Sequence, residues 1–138
     1  MKKRIKIASW NIAGGQITDS LEQFDYLKED VAYFTDQLKS LDADVICIQE
    51  THLNTSRSIA KEIAISLGYE NVYEVDVSPS HIDKDFRLGN AIMSKLPLEH
   101  VADVYYPFPD FELRFKNGNL ATTRHDKMVQ IYKYGPFM

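Results

Sequence analysis

Asn11 and Glu50 are the two polar side chains whose positions best suit chemistry. Asn11 follows Arg4 to Trp10, where Ile5, Ile7 and Ser9 fall on one face, and Gly14-Gly15 comes next. That pattern predicts a short strand running into a loop. Glu50 follows Val45-Ile46-Cys47-Ile48, a continuous run rich in β-branched residues. The run predicts a buried strand that delivers Gln49 and Glu50 at its carboxyl end. A carboxylate there is costly unless it is solvated, paired or bound to a metal. Mg²⁺ takes one or two carboxylates and keeps several waters, so Glu50 suits it as a direct ligand. Asn11 would then orient the carboxylate or hold a ligand oxygen. The same positions also suit a solvated strand end and a turn residue, and spacing alone leaves both readings open.

Other candidates have simpler readings beside the chemical one. Asn90 either lines a cleft as a substrate-contacting residue or satisfies backbone groups at a strand start. His52 stands two residues after Glu50, near the same rim, where a loop histidine is usually solvated. His125-Asp126 could pair a base with an orienting carboxylate, or form a charged turn. Between two isoleucines, Cys47 reads as a buried inert thiol. Lys84 and Arg87, interleaved with Asp83 and Asp85, read as a mixed-charge solvated loop. The aromatic stretch Tyr105 to Phe111 reads as packing between strands rather than a platform for bases. His81 and His100 have no neighbours that suggest chemistry.

The elements that must position these residues follow from periodicity. Leu27, Val31, Phe34, Leu38 and Leu41 form one helical face, and Ile59, Ile63 and Leu67 form another that stops at Gly68. Asn54-Thr55-Ser56 supplies cap candidates for the second helix. The first half therefore reads strand, helix, strand, helix. Strands are expected at Val72 to Pro79, Ala91 to Met93, Leu98 to Tyr106 and Met128 to Tyr134, with a hairpin around Asn117-Gly118. The partner of the last strand would ordinarily follow it, but the sequence ends at Met138. This order predicts an α+β layered sandwich rather than a doubly wound parallel sheet.

Composition bounds the class. The 138 residues are 44% apolar and 26% charged, which fits a single globular domain and argues against disorder. No segment is apolar enough to span a membrane and no signal peptide is present, so a cytoplasmic location is expected. The single cysteine fits a reducing compartment. A net charge of −4 argues against nonspecific nucleic-acid binding through phosphate contacts alone, yet leaves room for a metal enzyme acting on phosphate esters. Gly14-Gly15 is not a dinucleotide fingerprint and there is no P-loop.

Three segments, in order, carry a family resemblance. Ile5-Lys6-Ile7-Ala8-Ser9-Trp10-Asn11-Ile12 resembles the opening strand of the endonuclease/exonuclease/phosphatase superfamily, which includes deoxyribonuclease I, exonuclease III, neutral sphingomyelinases and inositol polyphosphate 5-phosphatases. The stretch from Leu41 to Thr51, with its Gln49-Glu50 pair, resembles the second motif, and Gly89 to Leu98 looks like the middle strand pair. The resemblance implies a deoxyribonuclease I-like four-layer α/β-sandwich, two packed sheets flanked by helices. It implies hydrolysis of a phosphate ester with Mg²⁺ or Mn²⁺, by a phosphodiesterase, nuclease or phosphatase, with Asn11 and Glu50 in the catalytic metal and phosphate site. Some nuclease members carry an acidic residue where this chain has Ala13, which weakens the apurinic-type reading.

The family's later Asn-x-His, Asp-x-Asn and Ser-Asp-His segments are not found, and His125-Asp126 has the reverse order. The resemblance therefore implies that residues 1–138 are the amino-terminal half of the domain, with its carboxyl-terminal half missing. Such a chain is expected to hydrolyse little alone. It is expected to be either an inactive fragment or a binding protein, and to self-associate through exposed sheet surface. The substrate class (nucleic acid, nucleotide, inositol phosphate or lipid headgroup) is left open.

Overall fold

The computed structural model describes residues 4–17, 28–106, 114, 116–118 and 127–134. A four-stranded sheet is built from β1 (Ile7–Asn11), β4 (Val45–Leu53), β6 (Arg87–Ser94) and β5 (Asn71–Pro79), in that spatial order. β1 and β4 are parallel, while β4·β6 and β5·β6 are antiparallel. Helices α1 (Val31–Leu41) and α2 (Ile59–Leu67) cover one face. Two short strands, β2 (Gln16–Ile17) and β3 (Lys28–Glu29), pair beside them. This is the α+β arrangement the element order predicts, and the mixed sheet excludes the doubly wound alternative.

The core lies between sheet and helices. Ile46, Ile48 and Met93 from the sheet meet Phe34 and Leu38 of α1 and Ile59 and Ile63 of α2. Each isoleucine buried this way contributes about 1.5–3 kcal/mol. The neighbouring β1 residues Ala8 and Trp10 point to the same side, and the Trp10 ring packs on Phe34 at 4.9 Å with the planes tilted by 55°. Ile7, Ser9 and Asn11 therefore face away from the helices, and Ile7 is 65% exposed. Strand β1 is locked to the start of β4 by Asp44, which is buried and accepts the Lys6 N–H at 2.7 Å.

Several boundaries differ from the sequence reading, each for a local reason. Helix α1 starts at Val31 because Asp30 caps it by accepting the Tyr33 N–H at 3.0 Å; Lys28 and Glu29 belong to β3, and Leu27 lies outside the described residues. Its predicted stripe buries Phe34 and Leu38 but leaves Leu41 exposed where the helix ends. The cap of α2 is Ser58 rather than residues 54–56, because its hydroxyl accepts the Lys61 N–H. Strand β6 begins four residues earlier than Ala91, so Asn90 lies within it rather than at its start. Strand β4 runs on to Leu53 because Thr51, His52 and Leu53 continue the pairing with β6, so Gln49 and Glu50 lie within that strand rather than at its carboxyl end.

Strand β8 (Lys127–Tyr134) has its partner before it in the chain: it pairs antiparallel with β7 (Leu98–Tyr106). That two-stranded ribbon meets the main sheet through Tyr73, whose hydroxyl donates to the Leu98 carbonyl at 3.1 Å and whose ring lies 5.5 Å from that of Tyr132. The Asn117-Gly118 turn has Gly118 at φ 86, while most of the hairpin expected around it and His125-Asp126 lie outside the described residues. No helix is long and apolar enough to cross a membrane among the described residues.

Candidate active site

The strand register brings the three sequence candidates together. Asn11 at the end of β1 pairs with Gln49 of β4, and Gln49 pairs with Asn90 of β6. Asn11, Gln49 and Asn90 thus form one row across three adjacent strands, spaced by the ordinary interstrand distance of about 4.8 Å. The next residue, Glu50, is inserted. Gln49 opposes Asn90 and Thr51 opposes Gly89, so Glu50 has no partner on β6 and forms a bulge. Its φ of 52 places it in the left-handed region, where a side chain with a Cβ is strained. Bulges of this kind re-aim a side chain and recur beside active sites.

Both neighbours of Glu50 are tied down. The Gln49 side-chain amide donates to Ser9 Oγ at 3.1 Å, fastening β4 to β1 on the face away from the helices. Thr51 donates to the Glu74 carboxylate at 3.0 Å, and that carboxylate also accepts the Ser58 hydroxyl at 2.7 Å. The Glu50 carboxylate itself has no hydrogen-bond partner among the described residues.

Asn11 closes a turn at the end of its strand. Its Oδ1 accepts the Ala13 N–H at 3.0 Å, and Ile12 N–H reaches the Gln49 carbonyl at 3.1 Å. Ala13 has φ 48, and Gly14 and Gly15 also adopt positive φ. With Oδ1 engaged by the backbone, the Asn11 side chain presents Nδ2 as its available polar end, a hydrogen-bond donor. The Asn90 side chain has no partner among the described residues. Across the described residues no group of three or more His, Cys, Asp and Glu is arranged to hold a metal ion.

His52 is not the solvated loop residue that its position suggests. It is completely buried, its ring stacks on Phe86 at 4.8 Å with planes 8° apart, and Nε2 lies 2.8 Å from Ser80 Oγ. Burial pushes its pKa below the ordinary histidine value, with the Asp83 charge opposing. Cys47 is half-buried, and desolvation pushes its thiol pKa up, as an inert thiol requires. Arg87 is paired with Asp76 at 2.5 Å, and His100 with Asp103 at 2.7 Å. His81 is exposed.

A groove of about 470 Å³ opens beside Leu53, Asn54, Lys84, Phe86 and Arg87, at the same end of β4. The Glu50 bulge, the Thr51–Glu74 contact and the burial of His52 have no signature in sequence spacing. The polar pair Gln49-Glu50 directly after the apolar run Val45 to Ile48 is the sequence signal nearest to them.

Comparison with known proteins agrees with this arrangement. No curated protein matches the sequence. In structure the chain is similar to an endonuclease/exonuclease/phosphatase from Beutenbergia cavernae DSM 12333, with a TM-score of 0.57 and 17% identity. The similarity covers 76% of this chain and 29% of that one, so this chain spans less than a third of that protein's length. The model of the Endonuclease/Exonuclease/phosphatase family matches residues 8–129, a span that holds Asn11, the Glu50 bulge and Asn90. Because that match spans most of the sequence, the chain belongs to the endonuclease/exonuclease/phosphatase family.

Proposed function

We propose that the protein containing this chain hydrolyses phosphate esters with a divalent cation, Mg²⁺ or Mn²⁺, and that Glu50 and Asn11 belong to its catalytic site. The observation that carries this reading is the row Asn11–Gln49–Asn90 across three adjacent strands, with Glu50 inserted as a bulge next to Gln49. The residues fit one side of such a cation site. Mg²⁺ needs only one or two carboxylates beside its waters, and the Glu50 carboxylate is unengaged among the described residues. Bound there, the cation would supply charge stabilisation to a phosphoryl oxygen and lower the pKa of a water.

The chain's own residues divide the remaining work. Glu50 holds the cation at a rigid bulge. Asn11 donates from Nδ2 to a phosphoryl oxygen, while its Oδ1 keeps the turn closed. Asn90 contacts the substrate from the far side of the row. Gln49 keeps β1 and β4 in register through Ser9. Fixed donors of this kind stabilise developing charge without reorganising as the reaction proceeds.

The test is hydrolysis of a phosphodiester and a phosphomonoester by the longest protein that contains these residues, with and without Mg²⁺. Glu50→Gln should lower the metal-dependent rate by about 10³-fold, the loss of roughly 4 kcal/mol of charge stabilisation. An unchanged rate would remove Glu50 from the site. For the 138 residues alone the expectation is little turnover.

A second reading concerns association. Ile7, 65% exposed, lies on the edge strand β1, on the face away from the helices. This surface is proposed to join two copies of the chain, which sedimentation across a concentration series would reveal.

A further inference from the structure

His52 carries a tautomer that its neighbours dictate. Ser80 Oγ accepts two backbone N–H groups, from Ile82 at 3.0 Å and from Asp83 at 3.1 Å. A serine oxygen has two lone pairs and one proton. Both lone pairs are occupied, so the contact with His52 at 2.8 Å is the Ser80 hydroxyl donating to Nε2. Nε2 is then the acceptor, and the neutral ring carries its proton on Nδ1. Nδ1 is buried with no hydrogen-bond partner among the described residues. A buried donor left unsatisfied costs stability, so the surroundings of Nδ1 do not select this tautomer; Ser80 imposes it.

The ring also meets the turn that follows Asn11. A Cβ at Gly14 would fall within 2.6 Å of Cε1, Nε2 and Nδ1 of His52. Phe86 stacks flat on the same ring. The imidazole is therefore in contact with both the loop from Ser80 to Phe86 and the turn Ala13–Gly15. That turn is the one Asn11 Oδ1 closes through the Ala13 N–H.

We propose that His52 is a positioning residue for Asn11: Ser80 fixes the tautomer and plane of the ring, and the ring fixes the Ala13–Gly15 turn that aims the Asn11 amide. The proposal rests on the reading of Asn11 as a phosphate donor, but its own test does not require turnover.

The experiment is a two-bond ¹H–¹⁵N correlation of the histidine rings in labelled protein, with the backbone amides and the Asn11 side-chain amide followed in parallel. The wild-type ring of His52 should show an unprotonated Nε2 and a protonated Nδ1. Ser80→Ala should shift the ring toward the Nε2-protonated form and displace the Ala13 amide and Asn11 side-chain signals, which Ser80 does not touch. Ser80→Thr, which keeps the hydroxyl, should restore them. A wild-type ring protonated at Nε2 would overturn the proposal, and this spectrum needs no variant to fold. So would Ser80→Ala signals that move only from residue 80 to residue 86. Failure of Mg²⁺ to move the wild-type Asn11 signals would instead contradict the phosphate-ester reading, leaving the ring and turn as measured.

Discussion

Thr51 donates its hydroxyl proton to the Glu74 carboxylate across 3.0 Å, on the helix side of the sheet. Two residues earlier and on the opposite face, Gln49 is bonded to Ser9. Glu50 sits between these two anchors, in a left-handed conformation it would not adopt unaided. The site residue is thus strained, and the cost is met by neighbours on both faces. If so, Thr51→Val, which keeps the shape and removes the hydroxyl, should destabilise the chain by about 1.5–3 kcal/mol, since the bond lost is to a charged group. Urea unfolding of the two proteins measures it, and a change within a few tenths would show that Glu74 relies on Ser58 alone.

Replacing Glu50 itself should act in the opposite direction. At φ 52 glycine adopts the conformation freely, and the relief of about 1–2 kcal/mol outweighs or offsets the added flexibility of the unfolded chain. Glu50→Gly is therefore expected to be at least as stable as the native chain while losing divalent-cation binding. Thermal unfolding checks the first part and a metal titration the second. A clearly less stable variant would mean that the Glu50 side chain contributes packing as well as charge.

Gly14 should resist replacement for two separate reasons. Gly14→Ala faces both the cost of a positive φ and a clash with the buried His52 ring, together about 2–4 kcal/mol. Gly68→Ala shares the positive φ, but open space surrounds it, so only the backbone term of about 1 kcal/mol applies. Measuring both by chemical denaturation separates the two causes. Equal losses would show that the imidazole moves aside.

Alkaline pH should weaken the fold. Burial raises the pKa of Cys47 and of Tyr69, whose hydroxyl donates to the Ala43 carbonyl at 2.5 Å. The unfolded chain releases these protons near the ordinary values of about 8.5 and 10, while the folded chain still holds them. Above those values the unfolded state binds fewer protons, so stability falls as pH rises. Stability curves between pH 7.5 and 10.5 (about the range that brackets both groups) should show this decline. Cys47→Ser together with Tyr69→Phe should flatten it, and an unaltered slope in the double variant would assign it to other groups.

How much of this was readable beforehand depends on whether the cause was periodic. Phe34, Leu38, Ile59 and Ile63 repeat at helical spacing, and the run from Val45 to Ile48 is apolar without interruption, so the helices and the central strand follow from pattern. Asn11 is legible as a strand-end residue, whereas Glu50 and Asn90, expected at the edges of their strands, lie within β4 and β6 because both strands run longer than their apolar runs. The alignment of Asn11 and Asn90 in one row was not legible, because pairing register is a property of two strands. The Glu50 bulge left no trace, since glycine is the usual sign of positive φ. His52 was misread for a related reason: its burial comes from Phe86, Ser80 and Gly14, all distant in the chain. The partner of β8 was misplaced because β7 returns to it across a long connection.

The most direct test of the account is a titration with Mn²⁺, whose unpaired electrons broaden the resonances of nearby nuclei. Glu50, Asn11 and Asn90 should broaden first and together, and Glu50→Gln should abolish the effect while leaving the spectrum of the fold intact. Broadening centred on Asp76, Asp83 or Asp85, or none at all near Glu50, would contradict the assignment of this cross-strand row and its bulge as the cation and phosphate site.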